Sequence, residues 1–173
     1  MLSITFKKMK IKKTFLIIFV IVAFITSSFV QRSFAQDNAD QKQLSQLLNS
    51  YFRVKDALTR DNSGDAALNA AEFLKTANGI SNRTISEGNR NALVKDAGII
   101  SDSKDIKKQR EVFANFSTNM YALAKSLKLV SQPVYYQYCP MKKAYWLSND
   151  KVIKNPYYGN AMLTCGKITE TIE

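Results

Sequence analysis

The residues best suited to chemistry in this chain are two cysteines and two methionines near its C-terminal end. Cys139 and Met141 flank one proline, and Met162 and Cys165 follow farther along the chain. Thiolate and thioether sulfurs favour Cu(I), whereas calcium and magnesium require oxygen and zinc usually requires histidine or more than two cysteines. Because the chain contains no histidine, this sulfur set predicts a site for Cu(I), with silver as a substitute.

Local spacing predicts how the four sulfurs would converge. If residues 134–141 are extended, side-chain alternation turns Cys139 and Met141 to the same side. If residues 161–165 form a helical turn, Met162 and Cys165 share a face. A fold that joins the two pairs would then offer three or four sulfur ligands. The thioethers would remain ligands in acid, whereas the thiols must lose a proton to bind well.

Each sulfur residue also has a simpler interpretation. Two cysteines in an exported protein form a disulfide more often than they bind metal, and a bridge between Cys139 and Cys165 would add about 3 to 4 kcal/mol in the chain-entropy model. Composition alone favours that bridge. Met141 and Met162 would otherwise be flexible core filler. Trp146 is expected to be a buried anchor, or else to cover a bound monovalent cation with its ring.

The first 35 residues have the pattern of an export signal. Lysines at positions 7–13 precede an uncharged apolar run over residues 15–30, and Ser33-Phe34-Ala35 follows as a cleavage site. The alternative is retention as an N-terminal anchor, because the run is close to the shortest length that spans a bilayer. In both cases residues 36–173 are expected outside the cytoplasm, in the periplasm.

Charge and motif content exclude several classes of function. Removal of the leader takes away six basic and no acidic side chains, which lowers the formal net charge from +11 to +5. The remaining basic residues are interspersed with acidic ones, so we predict no nucleic-acid binding, and membrane attachment only through an uncleaved leader. The chain has no histidine, paired carboxylates, phosphate-binding glycine loop or nucleophile elbow. We therefore predict that it is not an enzyme.

Hydrophobic periodicity predicts a mainly α fold: an antiparallel bundle of about four helices, followed by a small irregular C-terminal lobe with short β-strands. Residues 36–43 are polar and are predicted to be a flexible arm, and residues 44–170 a single domain whose lobe spans 130–170. Turn residues place a helix boundary at Gly98, and Ser101 or Ser103 would cap the last helix. The predicted helices cover residues 44–58, 66–77, 86–97 and 105–129, and a strand is predicted over residues 134–138.

Several segments of the lobe resemble a family of uncharacterised exported domains from Bacteroidetes-type bacteria. They are residues 134–141, 144–148, 153–159 and 162–166. Tyr51-Phe52 and residues 55–58 of the first helix are similar too, so the resemblance covers roughly residues 44–170. Domains of that family occur alone and also fused to the C-terminus of membrane-fusion adaptors of copper and silver efflux pumps.

The resemblance implies a periplasmic helical domain in heavy-metal handling, with an efflux adaptor or another envelope protein as partner. The resemblance implies that the candidate ligands are Cys139, Met141, Met162 and Cys165. Family members often have a histidine before the first cysteine, where this chain has Tyr138, which disfavours a histidine-containing zinc site. We therefore predict a protein that buffers Cu(I) or Ag(I) or delivers it to an efflux system. The alternative is a structural or interaction domain with a Cys139–Cys165 disulfide and no metal.

Overall fold

The computed structural model of the chain describes residues 40–127 and 132–173. The predicted leader and residues 36–39 of the predicted arm lie outside the described residues. Helix α1 covers residues 40–59, and the helices α2, α3 and α4 follow as Ser63–Gly79, Glu87–Ser101 and Ile106–Leu127. The lobe contains strands β1 (Val134–Cys139), β2 (Ala144–Ser148) and β3 (Lys167–Ile172), with a one-turn 3-10 helix at Gly159–Ala161. The predicted mainly α class with a small β lobe is confirmed.

Short polar side chains define where the helices begin. Asn62 caps α2 by accepting from the backbone N–H of Asp65 at 2.9 Å, and Ser86 caps α3 in the same way. For α4, Asp105 accepts from the N–H of Lys107 at 2.9 Å. Of the two predicted serines, Ser103 accepts from the N–H of Asp105 at 3.1 Å, one residue before the helix, so the cap of α4 is Asp105 and not a serine. Each such cap satisfies a backbone donor that the helix cannot satisfy itself.

Two helix boundaries also differ from the sequence predictions. Residues 40–43, assigned to a flexible arm, belong to α1, where Gln41 and Lys42 are exposed. These residues are polar because the first turn of α1 faces solvent. Helix α3 continues through Gly98 as far as Ser101. Because Ile100 is fully buried, its packing outweighs the low helix propensity of glycine. Among the described residues, no helix is both long and apolar enough to cross a bilayer.

An aromatic core joins the helices to the lobe. The ring of Tyr51 on α1 stacks on Phe113 of α4 with their centroids 5.5 Å apart, and Phe116 contacts Phe73 of α2 edge-on. The Tyr51 hydroxyl lies 2.7 Å from the Ser117 hydroxyl and accepts from a backbone N–H of β2 at 3.0 Å. Burial raises the pKa of Tyr51 far above its usual range. This neutral hydroxyl therefore ties α1 and α4 to the sheet.

The lobe is built on a three-stranded antiparallel sheet with the order β2-β1-β3. Strands β1 and β2 form a hairpin closed by the pair Cys139 and Ala144. On the other side, Tyr138 of β1 pairs with Lys167, the first residue of β3. The C-terminal end of β1 therefore lies beside the segment that leads into β3.

Arg110 of α4 fixes the lobe against the helices. Its guanidinium donates to the carbonyl of Pro156 at 2.8 Å and to the carboxylate of Asp61 at 2.5 Å. The second oxygen of Asp61 accepts from the N–H of Asn160 at 3.1 Å. Gly159 has a φ of +53°, and a β-carbon there would collide with both side chains of the ion pair. Glycine is therefore required at this close approach.

Candidate metal centre

The register of β1 and β3 brings the two cysteines together. Cys139 is the last residue of β1 and is fully buried, and Cys165 lies just before β3 and is partly exposed. Both thiols are free. Burial raises the pKa of Cys165, and the neighbouring Cys139 thiol raises it further through its charge and as a side-chain hydrogen-bond partner. The two predicted thiol ligands are thus neighbours in the fold.

The hairpin turn leaves Cys139 buried and Met141 exposed to solvent. Strand β1 ends at Cys139, and residues 140–143 form the turn, in which Lys143 has a φ of +54°. The N–H of Lys142 points at the Cys139 sulfur at 3.4 Å. Met141 is 61% exposed, whereas Cys139 is 0% exposed. The expectation that residues 134–141 are extended throughout is therefore wrong, because the chain turns at Pro140.

Met162 is held close to Cys165 along the chain by a tight turn. The N–H of Cys165 donates to the carbonyl of Met162 at 3.1 Å. Met162 follows the 3-10 helix and is 40% exposed. Both candidate thioethers therefore face solvent, and the interpretation of Met141 and Met162 as core filler is wrong.

A cleft of about 360 Å³ lies between α4 and the lobe, and the chain neighbours of the two methionines line it. Lys142, which follows Met141, and Ala161, which precedes Met162, both line it. Lys107 and Arg110 of α4 line the opposite wall. A solvated cleft thus adjoins the chain segments that carry both thioethers.

A buried asparagine fixes the turn that carries Cys165. The side-chain amide of Asn155 donates to the carbonyl of Cys165 at 2.7 Å, and its oxygen accepts from the N–H of Tyr157 at 2.8 Å. The backbone N–H of Asn155 also donates to the carbonyl of Leu163 at 2.8 Å. Asn155 has no predicted role of its own, because nothing in its local pattern signals these longer-range partners.

Gly166, the residue after Cys165, packs closely against Trp146. A β-carbon on Gly166 would lie 2.8 Å from the Trp146 ring and 3.0 Å from the carbonyl of Tyr138. The absence of a side chain therefore lets the residue after Cys165 approach the end of β1. Trp146 is fully buried and packs edge-on against Tyr157 with centroids 6.0 Å apart. Its predicted role as a buried anchor is confirmed.

Hard metal ligands do not cluster in the same way. Among the described residues, no three histidine, cysteine or carboxylate side chains are grouped as a metal site requires. What the fold offers instead is a pair of thiols, with thioethers on the turns that adjoin them. Sulfur donors of this kind suit Cu(I) and are poor ligands for magnesium or calcium.

Comparison with known proteins finds a match only for the helical part of the chain. No curated protein and no solved structure matches the chain. One family profile matches residues 47–132, a segment that includes most of α1 and all of α2, α3 and α4. The four sulfur residues lie beyond the matched segment. The helical part of the chain is similar to the uncharacterised domain family described as Protein of unknown function (DUF3347).

Proposed function

We propose that this chain is a non-enzymatic, periplasmic metal-binding protein whose cargo is Cu(I), with Ag(I) as a substitute. Cys139 and Cys165 provide the principal ligands, and Met141 and Met162 add thioether ligands. The observation that carries the proposal is the pair of neighbouring, unbridged thiols at the ends of two paired strands. Thiolate and thioether sulfurs are the ligands that Cu(I) prefers.

The exposure of the four residues supports exchange of the cargo. Cys139 is buried, Cys165 is partly exposed and both thioethers are open to solvent. An incoming donor can therefore reach the exposed sulfurs while the buried thiol retains the metal. This gradient suits a protein that buffers the ion or passes it on.

The resemblance to exported domains fused to copper and silver efflux adaptors suggests the partner. On that basis the protein delivers its cargo to an efflux adaptor or another envelope protein. Tyr138 replaces the histidine that members of that family often have before the first cysteine, and its ring packs against Tyr145 at 4.5 Å. Sulfur alone would then hold the metal.

Titration of the reduced protein with Cu(I), in the presence of a competing Cu(I) chelator, tests the proposal. We expect one tightly held ion per chain, and loss of that binding in the double variant Cys139→Ser/Cys165→Ser. The matched control is Met120→Leu, which replaces a fully buried methionine of α4 and should bind normally. Absence of binding, or equal binding by the double variant, would refute the assignment.

The proximity of the thiols also favours one alternative function. A structural or interaction domain would use the same two cysteines as a permanent disulfide that fastens β3 to the end of β1. Thiol labelling with intact-mass measurement on protein isolated without reductant separates the two. Two labelled thiols favour metal binding, and an unlabelled protein that resists mild reductant favours the structural role.

A further inference from the structure

We propose that the Cys139–Cys165 pair reduces Cu(II). In a single oxidation of the pair, two Cu(II) ions each accept one electron and become Cu(I), and the two thiols lose two protons and form one disulfide. The cupric ion is the oxidant, and the protons pass to solvent. This proposal rests on the copper cargo of the proposed function, but it adds an activity that binding alone does not require.

The placement of the two thiols makes the reaction intramolecular. The β1–β3 register brings the end of β1 beside the turn that carries Cys165, and the amide of Asn155 holds that turn at the Cys165 carbonyl. Oxidation of one sulfur by a single Cu(II) leaves a species that must find a second sulfur. Here that sulfur already lies next to it, so a second Cu(II) completes the disulfide within one chain.

The two cysteines have different access to the ion. Cys165 is partly exposed and Cys139 is fully buried. A hydrated ion therefore meets Cys165 first. The N–H of Lys142 donates to the Cys139 sulfur at 3.4 Å, which orients the buried partner.

The thioethers give the product a place to bind. Disulfide formation consumes both thiol ligands, but the thioethers of Met141 and Met162 have no proton to lose and take no part in it. They are 61% and 40% exposed, and each is next in the chain to a residue that lines the cleft beside α4. Thioether sulfur favours Cu(I) over Cu(II), so the product is held loosely at the surface, where an incoming donor can take it.

The experiment mixes reduced protein, freed of reductant and oxygen, with excess Cu(II) and a chromogenic chelator specific for Cu(I). We expect two Cu(I) per chain, since a dithiol–disulfide couple transfers two electrons, together with loss of both thiols and a monomeric product. Peptide mass mapping should locate a disulfide between Cys139 and Cys165. That measurement uses the wild-type chain and so does not depend on the folding of any variant.

Single-cysteine variants test whether the pair matters. Cys139→Ser and Cys165→Ser should each yield at most half as much Cu(I) per chain, and they should accumulate disulfide-linked dimers. Met120→Leu is again the control and should behave as wild type. No Cu(I), or equal yield and rate in the single variants, would overturn the proposal. Because Cu(I) titration of the reduced protein is a separate assay, a chain that binds Cu(I) but leaves Cu(II) unreduced refutes only this inference.

Discussion

Asn155 is the residue whose loss should most clearly loosen the candidate site. Its side chain is fully buried and pairs with the carbonyl of Cys165 and the N–H of Tyr157. Asn155→Ala leaves both groups without that partner, and each buried unsatisfied group costs about 1 to 3 kcal/mol. We therefore expect the free energy of unfolding to fall by about 2 to 6 kcal/mol, a large share of the about 5 to 15 kcal/mol typical of a domain.

Urea unfolding followed by far-UV circular dichroism measures this change. Asn149→Ala is the matched control, because Asn149 is another asparagine of the lobe and is exposed, and we expect it to remain within about 0.5 kcal/mol of wild type. The Asn155 variant should also bind Ag(I) more weakly, because the Cys165 turn is no longer fixed. A loss of less than about 1 kcal/mol for Asn155→Ala would mean that water replaces the amide, and the argument for Asn155 as a positioning residue would fail.

Three further changes test the packing and charges of the lobe and of the helices. Gly166→Ala would press a methyl group onto Trp146, and overpacking of this kind costs about 1 to 3 kcal/mol, measurable by the same unfolding assay. The hydrogen bond from Arg110 lowers the pKa of Asp61. The ionised carboxylate therefore stabilises the fold fully above the ordinary pKa of about 3.9. This stabilisation is lost as the pH falls through the lower pKa that Asp61 has in the folded protein. Asp61→Asn should cost about 1 kcal/mol at neutral pH, a modest value because the carboxylate is 39% exposed, and the difference from wild type should disappear in acid. Burial raises the pKa of Asp96, so wild type gains stability as pH falls through that raised value; Asp96→Asn should match or exceed the melting temperature of wild type at pH 7, with the difference shrinking on acidification.

The helices were predictable because the hydrophobic pattern that produces them is local in the sequence. Strand β3 was not predictable. Apolar residues at three- and four-residue intervals mark α1 and α4 in the sequence. In β3, by contrast, Ile172 is the only buried residue, so the strand has no apolar face for a pattern to reveal. It forms because its backbone pairs with β1, a contact between segments that are far apart along the chain.

The candidate site, too, was predictable only in part. Residue chemistry selected Cys139 and Cys165, but the predicted alternation that puts Met141 on the same side as Cys139 is wrong, since the strand ends before Met141. What joins the thiols is the pairing of Tyr138 with Lys167 and the absence of a side chain at position 166. Both depend on tertiary contacts that one sequence does not display.

In the proposed function, the thiols and the thioethers have different roles because they differ in burial. A metal held only by Met141 and Met162 would sit at a solvated surface, where neutral thioethers compete with water and offer no charge to a cation. Strong retention must therefore come from the thiols, and above all from the fully buried Cys139. That same burial prevents Cys139 from meeting an incoming ion first. Affinity and rate of exchange are thus controlled by different residues, because the turn at Pro140 places one sulfur inside the fold and the next outside it.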